Sequence, residues 1–178
     1  MSYSNSHALQ RYAIPAFIVS AYHFFRSRTM ISLSTKVQCS RKIVFGDRCV
    51  VKPFVVIQSS GGTITFGSKC AVSSFDHFST GDGDIVIGDY VRFGPNCTIV
   101  GGTKQVRSRT KLVIEQSEVE PNGIVIGDDV LVGAGSVILP ASKIGRGAII
   151  GAGSVIKGEI PEYAIVVGTP AKTIGYRE

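Results

Sequence analysis

The chain has 178 residues, of which 44% are hydrophobic and 18% charged. That suits one domain with a substantial core and excludes a disordered chain. The net charge of +6 is uneven: residues 1–52 hold eight basic side chains against Asp47 alone, a net of +7, and the rest is close to neutral. The four cysteines, Cys39, Cys49, Cys70 and Cys97, are far apart and form no CxxC pair. A zinc ribbon or disulfide scaffold is therefore not indicated, and the cytoplasm is the expected compartment.

In chain order the first element is a helix. The apolar run 13–25 is broken by Pro15, Ser20 and His23 and is too short to span a bilayer. It also lacks the basic segment before it and the small-residue cleavage site after it that a secretory signal carries. On a helical wheel over 14–28, Ile14, Phe17, Ile18, Ala21, Tyr22, Phe24 and Phe25 share one arc. Ser20, His23, Arg26 and Ser27 lie opposite, and Pro15 suits the first turn. Two uses are open for the apolar arc: closing the end of the domain that follows, or lying on an anionic membrane surface, which the adjacent positive charge favours. His7 and His23 are expected in solvent. Nucleic acid is not an expected partner, because aromatic and basic residues are not interleaved.

The rest of the chain repeats every six residues. From Ile126 it reads IGDDVL, VGAGSV, ILPASK, IGRGAI, IGAGSV, IKGEIP. Each hexad opens with Ile or Val, and its fifth residue is small or apolar. The same rule holds upstream from Phe45, Phe66 and Ile87, and every insertion (58–65, 79–86 and 100–125) follows the third hexad of a triplet. A period of six is neither helical nor simple alternation. It predicts a short strand with an inward apolar residue, then a turn, three strands closing one coil of a triangular prism. Five coils stacked at the strand spacing of about 4.8 Å would rise about 24 Å, with all insertions at one corner. Cys49, Cys70 and Cys97 fall on fifth positions and read as buried corner residues. Only His77 of the three histidines lies within the repeats, so no metal centre is expected.

The segments IGDYVRFGPNCTI, IGDDVLVGAGSVILP, IGRGAIIGAGSVI and IPEYAIVVGTPAKTI resemble the hexapeptide-repeat acyltransferases, and the stretch 84–174 resembles their sugar O-acetyltransferase branch. The resemblance implies an all-β fold, a left-handed parallel β-helix of about five coils, spanning 36–174. It would follow an amphipathic helical segment (1–35), carry one long loop (100–125) and end in a short tail (175–178).

It also implies a set of site residues. Lys104 stands where the family has a catalytic His, and Glu115 where a Glu orients it; a lysine is protonated at neutral pH and is no base. Lys104 is then a contact for an anionic substrate group or the thioester oxygen. Asn96 matches a position that contacts the acceptor sugar and is expected near the insertion corner. Apart from the resemblance, the position of His77 in the column of Val56 and Thr98, on the edge that leads to the insertion corner, makes it the candidate for a substitute general base. On the cofactor side, the GAGS segments at 133–136 and 151–154 place Ala134, Gly151 and Ala152 along the pantetheine arm of acetyl-CoA. Lys172 and Lys157 would face its phosphates, and Leu131 takes the place of a family Trp beside the thioester.

The activity implied is acetyl transfer from acetyl-CoA to a sugar or a lipid-linked glycan precursor, O-transfer preferred and N-transfer open. The implied assembly is a homotrimer, in the cytoplasm, with peripheral contact at an anionic membrane. The alternative is a non-catalytic β-helix that binds a glycan or a protein partner.

Overall fold

A computed structural model describes residues 14–102, 108–112, 115–116 and 123–178. Three parallel sheets form the faces of a prism. The first holds β1 (Met30–Ile31), β4 (Val50–Val51), β7 (Ala71–Val72), β10 (Arg92–Phe93), β13 (Leu131–Val132), β16 (Ile149–Ile150) and β19 (Ala164–Val167). The second holds β2 (Lys36–Val37), β5 (Val56–Gln58), β8 (His77–Ser79), β11 (Thr98–Val100), β14 (Val137–Ile138) and β17 (Val155–Ile156). The third holds β3 (Ile43–Phe45), β6 (Ile64–Phe66), β9 (Ile85–Ile87), β12 (Ile124–Ile126), β15 (Ser142–Ile144) and β18 (Glu159–Ile160). The six strands of the third sheet are separated by five turns, a rise of about 24 Å, as the repeat predicts. β20 (Lys172–Tyr176) turns back antiparallel on β19. The first sheet thus begins at Met30, ahead of residue 36, and β20 runs into the segment read as a tail.

Register follows the hexads: Ile43, Ile64, Ile85, Ile124 and Ser142 stack in one column, and Phe45, Phe66, Ile87, Ile126 and Ile144 in another. The inward side chains fill the prism. Its N-terminal half is aromatic: Phe45 and Phe66 stack at 4.7 Å, and Phe66, Phe78 and Phe93 follow in edge contacts. Burying each ring contributes roughly 1.5–3 kcal/mol. Fifth positions from Cys49 to Ser154 are closed to solvent, and Cys49, Cys70 and Cys97 are all buried as expected. Burial and the neighbouring Asp76 push the Cys97 thiol up to about 11, so it stays protonated at neutral pH.

The helix α1 (Ala16–Ser27) sits on the N-terminal end of the prism, but it does so through the arc opposite the apolar one, so the apolar arc does not close the domain. Val19 and His23 are buried, while Phe17, Ile18, Tyr22, Phe24 and Phe25 are exposed. Hydrogen bonds explain the choice. Ser20 Oγ donates to the Ile31 carbonyl, the Arg48 N–H to the Ser27 carbonyl and Thr29 Oγ1 to the Gly46 carbonyl, so the end coil's unpaired backbone groups find partners on the small, polar side of α1. The His23 ring packs edge-on to Phe45 with centroids 5.0 Å apart. His23 is therefore not in solvent, and burial, then the Arg26 charge, lower its pKa. Among the described residues no helix is long and apolar enough to cross a membrane.

Candidate active site

The corner between the first and second sheets carries the residues of interest. Its fourth hexad positions form a column of left-handed residues: Phe54 (φ 65°), Phe75 (φ 67°), Asn96 (φ 62°), Gly135 (φ 69°) and Gly153 (φ 69°). Their N–H groups reach back to the preceding coil: Asn96 to the Ser74 carbonyl, Gly135 to Pro95 and Gly153 to Ala134. At its N-terminal end the column is aromatic. The Phe54 and Phe75 rings stack 5.2 Å apart at 13°, and both are exposed. Asn96 follows, also exposed. Beyond it the column is bare: a side chain at Gly135 or Gly153 would meet nothing within 4 Å.

That bare stretch suits a pantetheine arm. Ala134 and Ala152 are exposed, their amide N–H groups donate to nothing among the described residues, and both can donate to the arm's carbonyls. The tight backbone stacking that makes the track comes from the first glycine of each GAGS: a Cβ on Gly133 would collide with the backbone of Ala152, and one on Gly151 with the Val167 side chain. Leu131 lies on the first sheet, exposed, paired with Arg92 on one side and Ile149 on the other.

His77 begins β8 on the outer face of the second sheet, half-buried, in register with Val56 and Thr98. Its Nε2 is 3.3 Å from the amide nitrogen of Gln58, one coil toward the N-terminus. With that amide donating, Nε2 is the lone-pair nitrogen and Nδ1 carries the proton. Asp76, immediately before it, does not face His77's solvent side: it is wholly buried. Asp76 Oδ1 accepts the Cys97 N–H at 2.8 Å and Oδ2 the Ser73 N–H at 2.9 Å. Burial outweighs those bonds and the Lys52 charge, and pushes the carboxyl up to about 7.

The structure thus brings Asn96, His77, Ala134, Gly151 and Ala152 to one edge and its adjoining strand. It separates others. The insertion corner lies between the second and third sheets, so Asn96 and the long loop sit at opposite ends of β11, not side by side as expected. Lys104 lies outside the described residues. Glu115 is engaged locally: its N–H donates to the Leu112 carbonyl, and its Oε2 accepts the Leu112 N–H at 3.4 Å. Lys157 is exposed on the insertion-corner side of β17. Lys172 opens β20, exposed and opposite Val167, on the far end of the first sheet. Sequence reasoning passes over the Phe54–Phe75 stack; its signal is two bulky residues 21 apart at a position that other coils fill with Gly or Asn.

Residues 123–158 match the family described as bacterial transferase hexapeptide (six repeats). A galactoside O-acetyltransferase from Lactococcus lactis is 36% identical over 87 residues, 49% of this chain and 41% of its own length. A 2,3,4,5-tetrahydropyridine-2,6-dicarboxylate N-acetyltransferase from Staphylococcus aureus is 47% identical over 62 residues, 35% of this chain and 25% of its own length. The aligned stretches span less than half of either relative. Among solved structures, AntD, an N-acyltransferase from Bacillus cereus in complex with dTDP and 3-hydroxybutyryl-CoA, superposes with a TM-score of 0.71 at 19% identity, covering 85% of this chain and 81% of that one. PerB from Caulobacter crescentus, in complex with CoA and GDP-perosamine, gives 0.62 at 21% identity, covering 83% and 57%. At these identities the likeness is one of fold. Residues 123–158 thus carry the bacterial transferase hexapeptide repeat, and the chain is similar to acetyltransferases that include a galactoside O-acetyltransferase.

Proposed function

We propose that this chain transfers an acetyl group from acetyl-CoA to a sugar acceptor, free, nucleotide-linked or lipid-linked, with a hydroxyl preferred and an amine the other outcome. The observation that carries this reading is the single edge on which a side-chain-free Gly-Ala-Gly track meets Asn96, with His77 on the adjoining strand. Similarity to a sugar O-acetyltransferase and to N-acyltransferases bound to sugar nucleotides and CoA supports the acceptor class and leaves the attacking atom open.

In this proposal the Ala134 and Ala152 N–H groups and Gly151 hold the pantetheine arm, Leu131 flanks the thioester, and Lys157 and Lys172 face the phosphates. Asn96 holds the acceptor. His77 takes the proton from the attacking hydroxyl through Nε2, exchanging the Gln58 contact for the acceptor, and returns it to the departing thiolate. A positioned base of this kind contributes roughly 10²–10⁴ in rate. Lys104 and Glu115 contribute from the loop to an anionic part of the acceptor. The proposed assembly is a homotrimer working in the cytoplasm, with exposed Val86 and Val125 on the third sheet and Leu131 on the first offering apolar faces for packing.

The test is transfer of label from acetyl-CoA onto a panel of sugars, nucleotide sugars and lipid-linked glycans, beside thermal unfolding with and without CoA. Labelled product and a rise in Tm are expected, since a ligand bound to the folded state alone stabilises it. Absence of both overturns the reading in favour of a non-catalytic scaffold. A monomeric mass by light scattering removes the trimer.

A further inference from the structure

The end of the prism is covered by a helix that wears its apolar side outward. Phe17 is 62% exposed, Phe25 85%, and Ile18, Tyr22 and Phe24 about half, all on one arc of α1. The opposite arc is used up by the contacts of Val19, Ser20 and His23 with the first coil. The apolar arc is therefore not the back of a core helix; packing against the prism would have buried it for the usual gain of roughly 1.5–3 kcal/mol per large side chain. A contiguous exposed patch of this kind marks an interaction surface.

The surrounding charge selects the occupant. Arg26, Arg28, Lys36, Arg41 and Lys42 are all exposed at the same end of the prism; of the acids near them, Asp47 is paired with Arg48 at 3.2 Å, and Asp84, two coils further along, is within range of the Lys42 charge, so the balance stays strongly positive. A second copy docking through this face would oppose two positive ends. Aromatic rings beside lysines and arginines fit the boundary of an anionic bilayer, where rings enter the acyl region and the cations stay among the headgroups. We infer that the outward face of α1 is a membrane-docking surface for anionic lipid, holding the N-terminal end of the prism against the bilayer.

The orientation has a consequence for the site, which rests on the acetyltransferase reading. Asn96 follows β10, three strand spacings from β1, or roughly 14 Å from the docked end; Gly153 follows β16, five spacings away, or roughly 24 Å. The acceptor residues then lie nearer the membrane than the cofactor track, the order required when the acceptor is lipid-linked and acetyl-CoA arrives from water.

The experiment is vesicle flotation of the full chain with phosphatidylcholine alone and with phosphatidylcholine plus phosphatidylglycerol. The chain has no tryptophan, so Phe25→Trp supplies a single reporter at the most exposed ring. Expected are flotation with the anionic vesicles, weakened by salt, and a blue shift of the introduced indole's emission on binding. The Phe17→Gln/Phe25→Gln variant should lose roughly tenfold or more in partitioning while its far-ultraviolet circular dichroism and Tm hold, because both rings are already in solvent. Arg41→Gln/Lys42→Gln should reduce the preference for phosphatidylglycerol. No flotation of the parent chain, equal flotation of the Gln variant, or a change in oligomeric mass as the sole effect of that variant would each overturn the inference. None of these readouts depends on acetyl transfer, so the docking surface and the proposed chemistry fail separately.

Discussion

Asp76 and Cys97 are tied across neighbouring coils: the Asp76 carboxylate oxygen Oδ1 accepts the Cys97 backbone N–H at 2.8 Å inside a corner from which water is excluded. Val55, Ser136 and Ser154 occupy the equivalent corner of other coils and are also buried. The bond joins the coil that carries His77 to the coil that carries Asn96, so it sets the relative height of the two side chains proposed to handle the acceptor.

That carboxyl makes stability depend on pH. Its folded value of about 7 stands above the 3.8 of an unperturbed aspartate, so the folded chain holds this proton more tightly than the unfolded chain does. The resulting stabilisation is fully present below the unfolded value and is lost as pH rises through about 7. Thermal unfolding should show Tm falling between mildly acidic and mildly alkaline buffer. Asp76→Asn removes the titration, and its Tm should vary much less over the same range.

The catalytic roles separate by kinetics. His77→Ala should lower kcat by roughly 10²–10⁴ with little change in KM, as removal of a general base does. Asn96→Gly keeps the left-handed turn without strain and should raise the acceptor KM by about three- to tenfold, the worth of one hydrogen bond. Unchanged kcat in His77→Ala on the true acceptor would exclude His77 as the base and leave an amine nucleophile or substrate-assisted transfer.

The two glycines of one GAGS segment should respond in opposite ways. Gly133→Ala forces a Cβ into the Ala152 backbone and should lower stability by about 1–3 kcal/mol. Gly135→Asn enters open space at the backbone conformation Asn96 already adopts one coil away, at a strain cost of about 1 kcal/mol. It should fold, yet its side chain would stand in the track proposed for the cofactor. A rise in KM for acetyl-CoA of roughly tenfold, with acceptor KM held, is the expected reading.

The helix cap should loosen in acid. Burial and Arg26 favour the neutral His23 ring in the docked state. Docking is therefore fully supported above the ordinary histidine value of 6.5 and weakens as pH falls below it toward the lowered folded value. Hydrogen exchange at Ile31 and through α1 should accelerate over that interval in the parent chain and stay level in His23→Leu.

The hexad period makes the coil, the inward columns and the buried cysteines legible in the sequence, because each is a local consequence of six-residue geometry. Three things are not legible. Of the two uses open to the apolar arc of α1, closing the prism end fails, because it assumes that the end coil offers an apolar face; the end coil presents carbonyls at Ile31 and Gly46, and the small, polar arc with Ser20 and Thr29 beside it answers them better. Asn96 stands one corner away from the place the insertions indicate, because they flag a single edge of the prism and draw the site toward it. Asp76 sits at a position that other coils fill with small or apolar residues, and the sequence carries no sign that two backbone N–H groups await it.

The parallel ladder of the first sheet is stopped at both ends, by α1 over β1 and by the antiparallel β20 on β19. An open parallel edge would template further strands from other chains. With growth stopped, the number of coils becomes a fixed length: each 18-residue turn is one graduation of about 4.8 Å on a ruler whose zero is the helix-covered face. Splicing in one more consensus coil between Asn96 and Gly135 would leave both caps and every register intact, and would part the acceptor from the thioester by a single graduation.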